Sequence, residues 1–533
     1  MSTNRMPNAR SAALATLLAC ACLIILLVAL GQSGGQRFVP SVVQRTTPNR
    51  VRDDEDFRLD FRVRPLPRLR MPRRQPVNRT LDSRIQDCIA RLAEVNHPDY
   101  GYSRTLSGVR FLPLPDQTDA SGWTVTNHEL ATSAALTELV EIGPLALPAL
   151  LDHLDDATPT RLLVERISFG GSSEGLSMTG GMSFAREVSG NPTNPREADL
   201  SSFHTDDKPD QVSGDGYRLK VGDLCFVALG QIVGRPYIAV RYQMTACVVI
   251  NSPTHDLAIC ERVRQIWRAD DPQRIVFESL LRDFATEEFD EEGSPPEDEV
   301  HSSYELSAAL RLLYYFPKES TEMVAAELRK LRVAGPEPEG MFIPKGEWSP
   351  SPAAEFVRRV AWSREPAIRR EIRRIFENTT NLDILLAALP AIAKDSPNLA
   401  RRRLFSFVKA AHGHFPAADV VAAVVRGFGD QAIAILAEVF PESSPDSLWW
   451  FCLWGGCAEF DQNDQLLALL LNDRRMTVPD SKGLAHRVCD SAAQGLTELN
   501  PRFVFEPGGS AADRDQQIER LRQQMDAESR NKQ

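Results

Sequence analysis

The stretch ALTELVEIGPLALPALLDHLDD, Ala135–Asp156, decides the fold. Leu136, Leu139 and Ile142 recur at helical spacing, and Ala146, Leu147, Leu150, Leu151 and Leu154 do so again after a break. Gly143-Pro144 between them reads as a helix stop followed by a helix start. The spacing predicts two helices, Asn127–Ile142 and Leu145–Leu154, joined by a tight turn.

The same period extends in both directions. Leu81, Ile85, Cys88, Ile89 and Leu92 make one apolar face upstream. Downstream, helices are expected over 222–233, 255–268, 272–285, 303–315, 319–332, 353–362, 365–377, 380–393, 397–411, 416–427, 429–440, 462–472, 482–499 and 511–527. Pro or Gly punctuates most gaps. Long helices, short breaks and few alternating runs indicate an all-α body. Residues 157–220 depart from this. They are rich in Gly, Ser, Asp and Pro, with alternating stretches at Arg161–Phe169 and Met182–Val188, and read as an insertion carrying a hairpin with disordered flanks. Arg241–Ile250 also reads as extended, and residues 286–300 and 335–352 as exposed loops.

Three stretches resemble HEAT-type helical repeats. Ala135–Asp156 has the apolar stripe of a first helix, the turn at Gly143, and a second helix with its early Pro148. GDLCFVALGQIVG, Gly222–Gly234, is similar to one half of such a repeat, and RVCDSAAQGLTELN, Arg487–Asn500, places Ala492, Ala493, Leu496 and Leu499 at the matching spacing. No clean period of repeat length runs through the body. The resemblance, to large membrane-anchored bacterial proteins with HEAT-like repeats, implies stacked helix pairs forming an irregular solenoid with an extended face for a protein partner. It carries over no catalytic residue.

The N-terminus says where such a body is held. Ser11–Gln36 is uncharged, and Ser11–Leu30 is nearly all apolar. At about 1.5 Å of rise per residue, ~20 apolar residues just span a bilayer core. Residues 1–36 are therefore expected to be a signal-anchor, a single transmembrane helix in contact with the lipid bilayer. Cleavage after Gly31 and lipidation at Cys20 are the competing readings. Arg5 and Arg10 precede the segment and argue for an exported body, whereas Arg37, Arg45, Arg50 and Arg52 argue the reverse; the exported topology is preferred. Residues 37–79, with twelve Arg, five acids and recurrent Pro, read as a disordered tether. The chain total of −11, with +2 in residues 1–36 and +7 in residues 37–79, leaves −20 on residues 80–533. So acidic a body argues against nucleic acid as a partner.

No motif for chemistry is complete. Gly171–Gly175 matches G-x-S-x-G, but no helical stripe follows to build a nucleophile elbow, so a Ser/Gly loop is preferred. Ser406-Phe407-Val408-Lys409 matches S-x-x-K, a pattern common by chance on helices. His412-Gly413-His414 precedes Phe415-Pro416 and reads as a helix–helix turn rather than a metal site. The acidic run around Asp290–Glu299 lacks EF-hand spacing. Nine Cys contain no C-x-x-C pair; Cys225, Cys247 and Cys489 read as small core residues, and Cys452 with Cys457 is the pair to test for a disulfide. No catalytic residue, cofactor or metal ligand is assigned.

Two clusters remain as sites for a partner. Arg369, Arg370, Arg373 and Arg374 fall at i,i+4 spacing and would line one side of a helix with two basic rows. Trp449, Trp450 and Trp454 put three of seven Trp within six residues, as at a binding hot spot. The expected function is a membrane-tethered scaffold for an unidentified protein. An enzyme using residues 157–220 or the Trp cluster, and a polyanion- or envelope-binding module using the Arg rows, are the alternatives.

Overall fold

The computed structural model describes residues 60–65, 69–73, 78–96, 111–114, 133–165, 182–184, 188–197, 200, 216–242, 248–289, 303–331, 351–411, 415, 417–453, 463–479, 484–500 and 502–532. The expected anchor, residues 1–36, lies outside them. The described chain is mostly helical, with short strands.

The first helices are α1 (Arg79–Arg91), α2 (Ala134–Ile142) and α3 (Leu147–Asp152). Asn78 caps α1 and Ser133 caps α2, each side chain accepting an amide three residues on. Gly143 ends α2 at φ +68°, and the Tyr315 ring fills the space where a side chain would stand. The helix break read from Gly143-Pro144 is thus also a contact with a helix far along the chain. α4 (Val221–Val233) is buried on every side, between α2, α3 and α1. α5 (Leu257–Trp267) and α6 (Pro272–Phe284) complete this part.

The remaining helices are α7 (Ser303–Tyr315), α8 (Pro317–Lys330), α9 (Pro352–Val360), α10 (Pro366–Asn378), α11 (Leu382–Asp395), α12 (Pro397–Ala410), α13 (Ala417–Phe428), α14 (Ala432–Val439), α15 (Pro445–Leu453), α16 (Asn463–Leu470), α17 (Val488–Leu499) and α18 (Ala511–Lys532). Among the helices, α6, α8, α9, α10, α12 and α15 start on proline, where the missing N–H costs nothing and φ is preset. This is why the prolines marked boundaries so well.

The odd-numbered helices α7, α9, α11, α13, α15 and α17 pack successively on one another and form one row. α8 packs on α10, and α12, α14 and α16 follow in a second, looser row. Helices adjacent in sequence bridge the two rows. Close approach within the first row depends on small residues. Gly427 of α13 faces Pro390 of α11, where an added Cβ would stand 3.2 Å from the proline Cα and 3.0 Å from Ala393 Cβ.

Ala134–Asp152 and Ala417–Glu442 are long and apolar enough to cross a membrane by length and composition alone. Their apolar side chains, Leu136, Leu139, Leu147 and Leu150 in one and Val420, Val424 and Leu436 in the other, are buried inside the body.

Three short sheets complete the fold. β1 (Asp60–Val63) pairs antiparallel with β7 (Thr286–Phe289), and β2 (Pro159–Glu165) with β4 (Gly216–Lys220). β3 (Met182–Phe184) runs parallel to β6 (Val248–Ile250), which pairs antiparallel with β5 (Val240–Tyr242). Two expectations need correcting here. The tether of residues 37–79 is not all free chain: residues 60–65 are part of the body, because a backbone ladder and the Arg64 side chain hold them. The described residues of the 157–220 insertion are likewise built in. Its strands pair, and Asn191, Asn194 and Glu197 are buried polar residues. Helix 482–499 begins only at Val488; before it, Met476 bridges Arg487 and the chain runs as a narrow hairpin.

Candidate functional site

α10 carries the arginine rows. Its apolar stripe, Ala367, Ile368, Ile372, Ile375 and Phe376, is buried, which turns the arginines outward or onto neighbouring helices. Arg369 reaches α11, donating to the Ala391 carbonyl at 2.8 Å and pairing with Asp395. Burial, then Arg364, lowers its pKa. Arg374 turns to α8, donating to the Leu328 carbonyl at 2.9 Å while pairing with Glu371 at 2.8 Å. Arg373 pairs with Glu377 one turn on, at 2.9 Å. Arg370 is exposed, and among the described residues no ion pair involves it. Two of the four arginines therefore tie α10 to its neighbours and only two point to solvent. The division by role cuts across the rows: Arg369→Gln and Arg374→Gln should each cost up to about 1 kcal/mol, and Arg370→Gln with Arg373→Gln less than about 0.5 kcal/mol. Thermal melts of the two double variants check this; equal melting temperatures would refute the division.

The tryptophans lie three helix pairs further on, so the two clusters are not brought together. Trp449 packs edge-on against Trp450, with centroids 4.8 Å apart, and stacks on the His486 ring at 5.4 Å. His486 belongs to the hairpin before α17, where its amide donates to Thr477 Oγ1 at 2.9 Å and its carbonyl accepts from Thr477 N at 2.8 Å. The Val478 amide faces Asp446 of α15 at 3.2 Å. The hairpin thus lies along α15. Trp450 at 47% exposure, Leu453, Met476, Val478 and Leu484 are exposed on these two elements. Large exposed apolar side chains gathered on adjoining elements are typical of interaction surfaces. Trp454 lies outside the described residues, as do Gly171–Gly175, His412–His414, the acidic run and Cys457. Cys225, Cys452 and Cys489 are buried thiols, and burial raises the pKa of each.

The sequence reading missed two polar clusters in the body. Arg235, just past α4, has a fully buried side chain. Its Nε donates to Glu197 at 2.8 Å, Nη1 to Asp283 at 2.5 Å, and Nη2 to Asp283 at 2.9 Å and Ser279 at 3.2 Å. Asn191 joins by donating to Asp283 and Thr286 at 2.8 and 2.9 Å. Glu197 Oε2 accepts from both Arg235 and the Asn191 amide, while Oε1 has no partner. One guanidinium bonds two buried carboxyl groups. Burial foremost, opposed by Arg235 and reinforced by Asp283, raises the Glu197 pKa.

A raised carboxyl pKa means the native state binds that proton more tightly than the unfolded chain does. The resulting stabilisation is complete below the ordinary value near 4.5 and is lost as pH rises through the raised one. Glu197→Gln imitates the protonated form. Its stability relative to wild type should rise steadily as pH increases from acid toward neutral. Urea melts across that range check this, and a constant difference would refute it.

In the second cluster, Asp223 near the start of α4 accepts from Tyr217 Oη at 2.8 Å, Ser252 Oγ at 2.7 Å and the Lys220 amide at 3.0 Å. Burial raises the pKa of both Asp223 and Tyr217. A Ser–His–Asp relay needs the imidazole between the hydroxyl and the carboxylate. Here Ser252 bonds the carboxylate directly, and the His255 ring stacks on Phe184 with centroids 3.8 Å apart. The cluster fixes α4 to the loop before α5. The signals for both clusters, Asp223 inside an apolar run and Arg235 after Gly234, were in the sequence, but Ser252, Glu197 and Asp283 lie tens of residues away.

No protein-family model, curated protein or solved structure matches the chain.

Proposed function

We propose that the chain is an irregular HEAT-like α-solenoid, tethered to a membrane through residues 11–30, that holds a protein partner and performs no chemistry of its own. The observation that carries this reading is the stack from α7 to α17, in which α7, α9, α11, α13, α15 and α17 pack in succession while α8, α10, α12, α14 and α16 each pack on a sequence neighbour in that row. Such arrays grow by nearest-neighbour packing and present long surfaces to partners. The first row is the more closely packed of the two. In a curved stack the tighter row lies on the inside, so α7, α9, α11, α13, α15 and α17 are assigned to the concave face. The exposed Trp450 and Leu453 on α15, the last helix but one of that row, supply an apolar anchor of the kind on which binding energy concentrates. The exported topology expected from Arg5 and Arg10 would place this face outside the cytoplasm.

The test uses the full chain extracted in mild detergent. Affinity capture should recover one stoichiometric protein, and Trp450→Ser with Leu453→Ser should lose it while the melting temperature holds. Capture indifferent to both changes removes the anchor. No partner, together with turnover in an unbiased substrate screen, removes the scaffold.

A further inference from the structure

Arg64 sits where the sequence leads one to expect free chain, and its surroundings are specific. β1 pairs with β7 from Asp60 opposite Phe289 to Val63 opposite Thr286. The ladder runs one residue further, with the Arg64 amide donating to the Ala285 carbonyl at 2.8 Å. The guanidinium then divides its nitrogens among separate acceptors. Nη2 donates to the Phe284 carbonyl at 2.7 Å and to Glu305 at 2.5 Å; Nη1 faces Glu327 at 3.4 Å and Nε faces Glu287 at 3.2 Å. Phe284 is the last residue of α6, so its carbonyl belongs to the negative end of that helix. Glu305 is almost wholly buried. Burial acts to lower the Arg64 pKa, but Glu305, then Glu327 and Glu287, raise it further, and the net shift is upward.

This cradle reads arginine. Three nitrogens in one plane meet acceptors from α6, α7, α8 and β7; a lysine ammonium, a single point, cannot reach all of them. The backbone ladder reads an extended segment, the mode by which sheet edges capture peptides. Yet the attachment is short. A four-residue strand in a two-stranded ribbon is marginal on its own, and the Arg64 side chain keeps a quarter of its surface in solvent, where salt weakens its ion pairs. Charge favours the pairing: residues 37–79 carry +7 against −20 on residues 80–533.

We infer that the β7 edge with Glu287, Glu305 and Glu327 is a docking site for an arginine-bearing extended peptide, and that residues 60–65 fill it in cis as a displaceable latch. The partner it fits is a protein segment in extended conformation with arginine at the end of the added strand. Such a segment must compete with the chain's own Arg64. The site is separate from the α15 face, so it stands or falls independently of the scaffold reading.

The probe is a fluorescent peptide with the sequence of residues 56–68, and its counterpart with lysine in place of Arg64. The full chain carrying Arg64→Gln should bind the arginine peptide about tenfold or more tighter than wild type, because an occupied site lowers apparent affinity by the fraction left open. The lysine peptide should bind about tenfold more weakly. Adding Glu305→Gln and Glu327→Gln to Arg64→Gln should abolish capture. A folded Arg64→Gln chain that binds the peptide no better than wild type overturns the proposal. Should that variant fail to fold, hydrogen exchange of the wild-type chain decides. A latch exchanges its Arg64 amide well before α7 and α8, and faster in high salt. Exchange of that amide only with global unfolding would make β1 a fixed part of the core, and the proposal would be wrong.

Discussion

Leu150→Asp is expected to cost about 4 kcal/mol or more and to melt the helices around α4 first. Leu147 and Leu150 are both fully buried on α3, packed against α4. Every residue of α4 is buried in turn. A carboxylate at Leu150 would enter an apolar interface and would have to take up a proton or expel the helix. The effect should spread, because Tyr315 of α7 donates from its hydroxyl to the Val140 carbonyl at 2.6 Å and packs on Gly143. Leu257→Asp is the control. Leu257 is 64% exposed at the first position of α5, where an acid suits the helix dipole, and its replacement should stay within about 0.5 kcal/mol. Thermal and urea melts followed by circular dichroism measure both. An unchanged melt for Leu150→Asp would mean that the Ala135–Asp156 helix pair is not packed as described.

The helices were legible because the signals that start and stop them are local. A proline at the first position of α6, α8, α9, α10 and α12 states where the helix begins without reference to anything distant, whereas α15, which also starts on proline, is not among the helices the spacing predicts. Gly143 states where α2 ends. What the sequence hid was long-range. β1 is four residues among arginines and prolines, and nothing in it names β7, more than two hundred residues away. The arginines of α10 looked like one basic face because periodicity places side chains around a single helix only. Arg369 and Arg374 found their partners on α11 and α8, which no pattern within α10 contains. The insertion hid its role in the same way. Asn191 and Glu197 lie in a polar, Pro-rich stretch that reads as loop, and only Arg235 and Asp283 make them core residues.

That core is where the second large effect is expected. Arg235→Ala should cost about 3–5 kcal/mol, because it leaves two carboxylates buried without their cation. Glu197 comes from the insertion and Asp283 from α6, while Arg235 follows α4, so one guanidinium closes three parts of the chain on one another. Its plane lies near the Trp267 and Tyr304 rings, at 5.9 and 5.7 Å from their centroids, so replacing it also empties packed volume. Arg235→Lys should rescue little, since one ammonium cannot bond Glu197, both oxygens of Asp283 and Ser279 together. Two further measurements separate lost charge from lost volume. If charge dominates, the defect of Arg235→Ala shrinks as pH falls, because protonating the stranded carboxyls removes their repulsion, and the native state then binds more protons than the unfolded one. Equally, Arg235→Met combined with Glu197→Gln and Asp283→Leu should be more stable than Arg235→Ala alone, since no buried charge remains in the triple variant. A triple variant worse than the single one, with a defect independent of pH, would show that Arg235 serves by filling space and that its ion pairs contribute little.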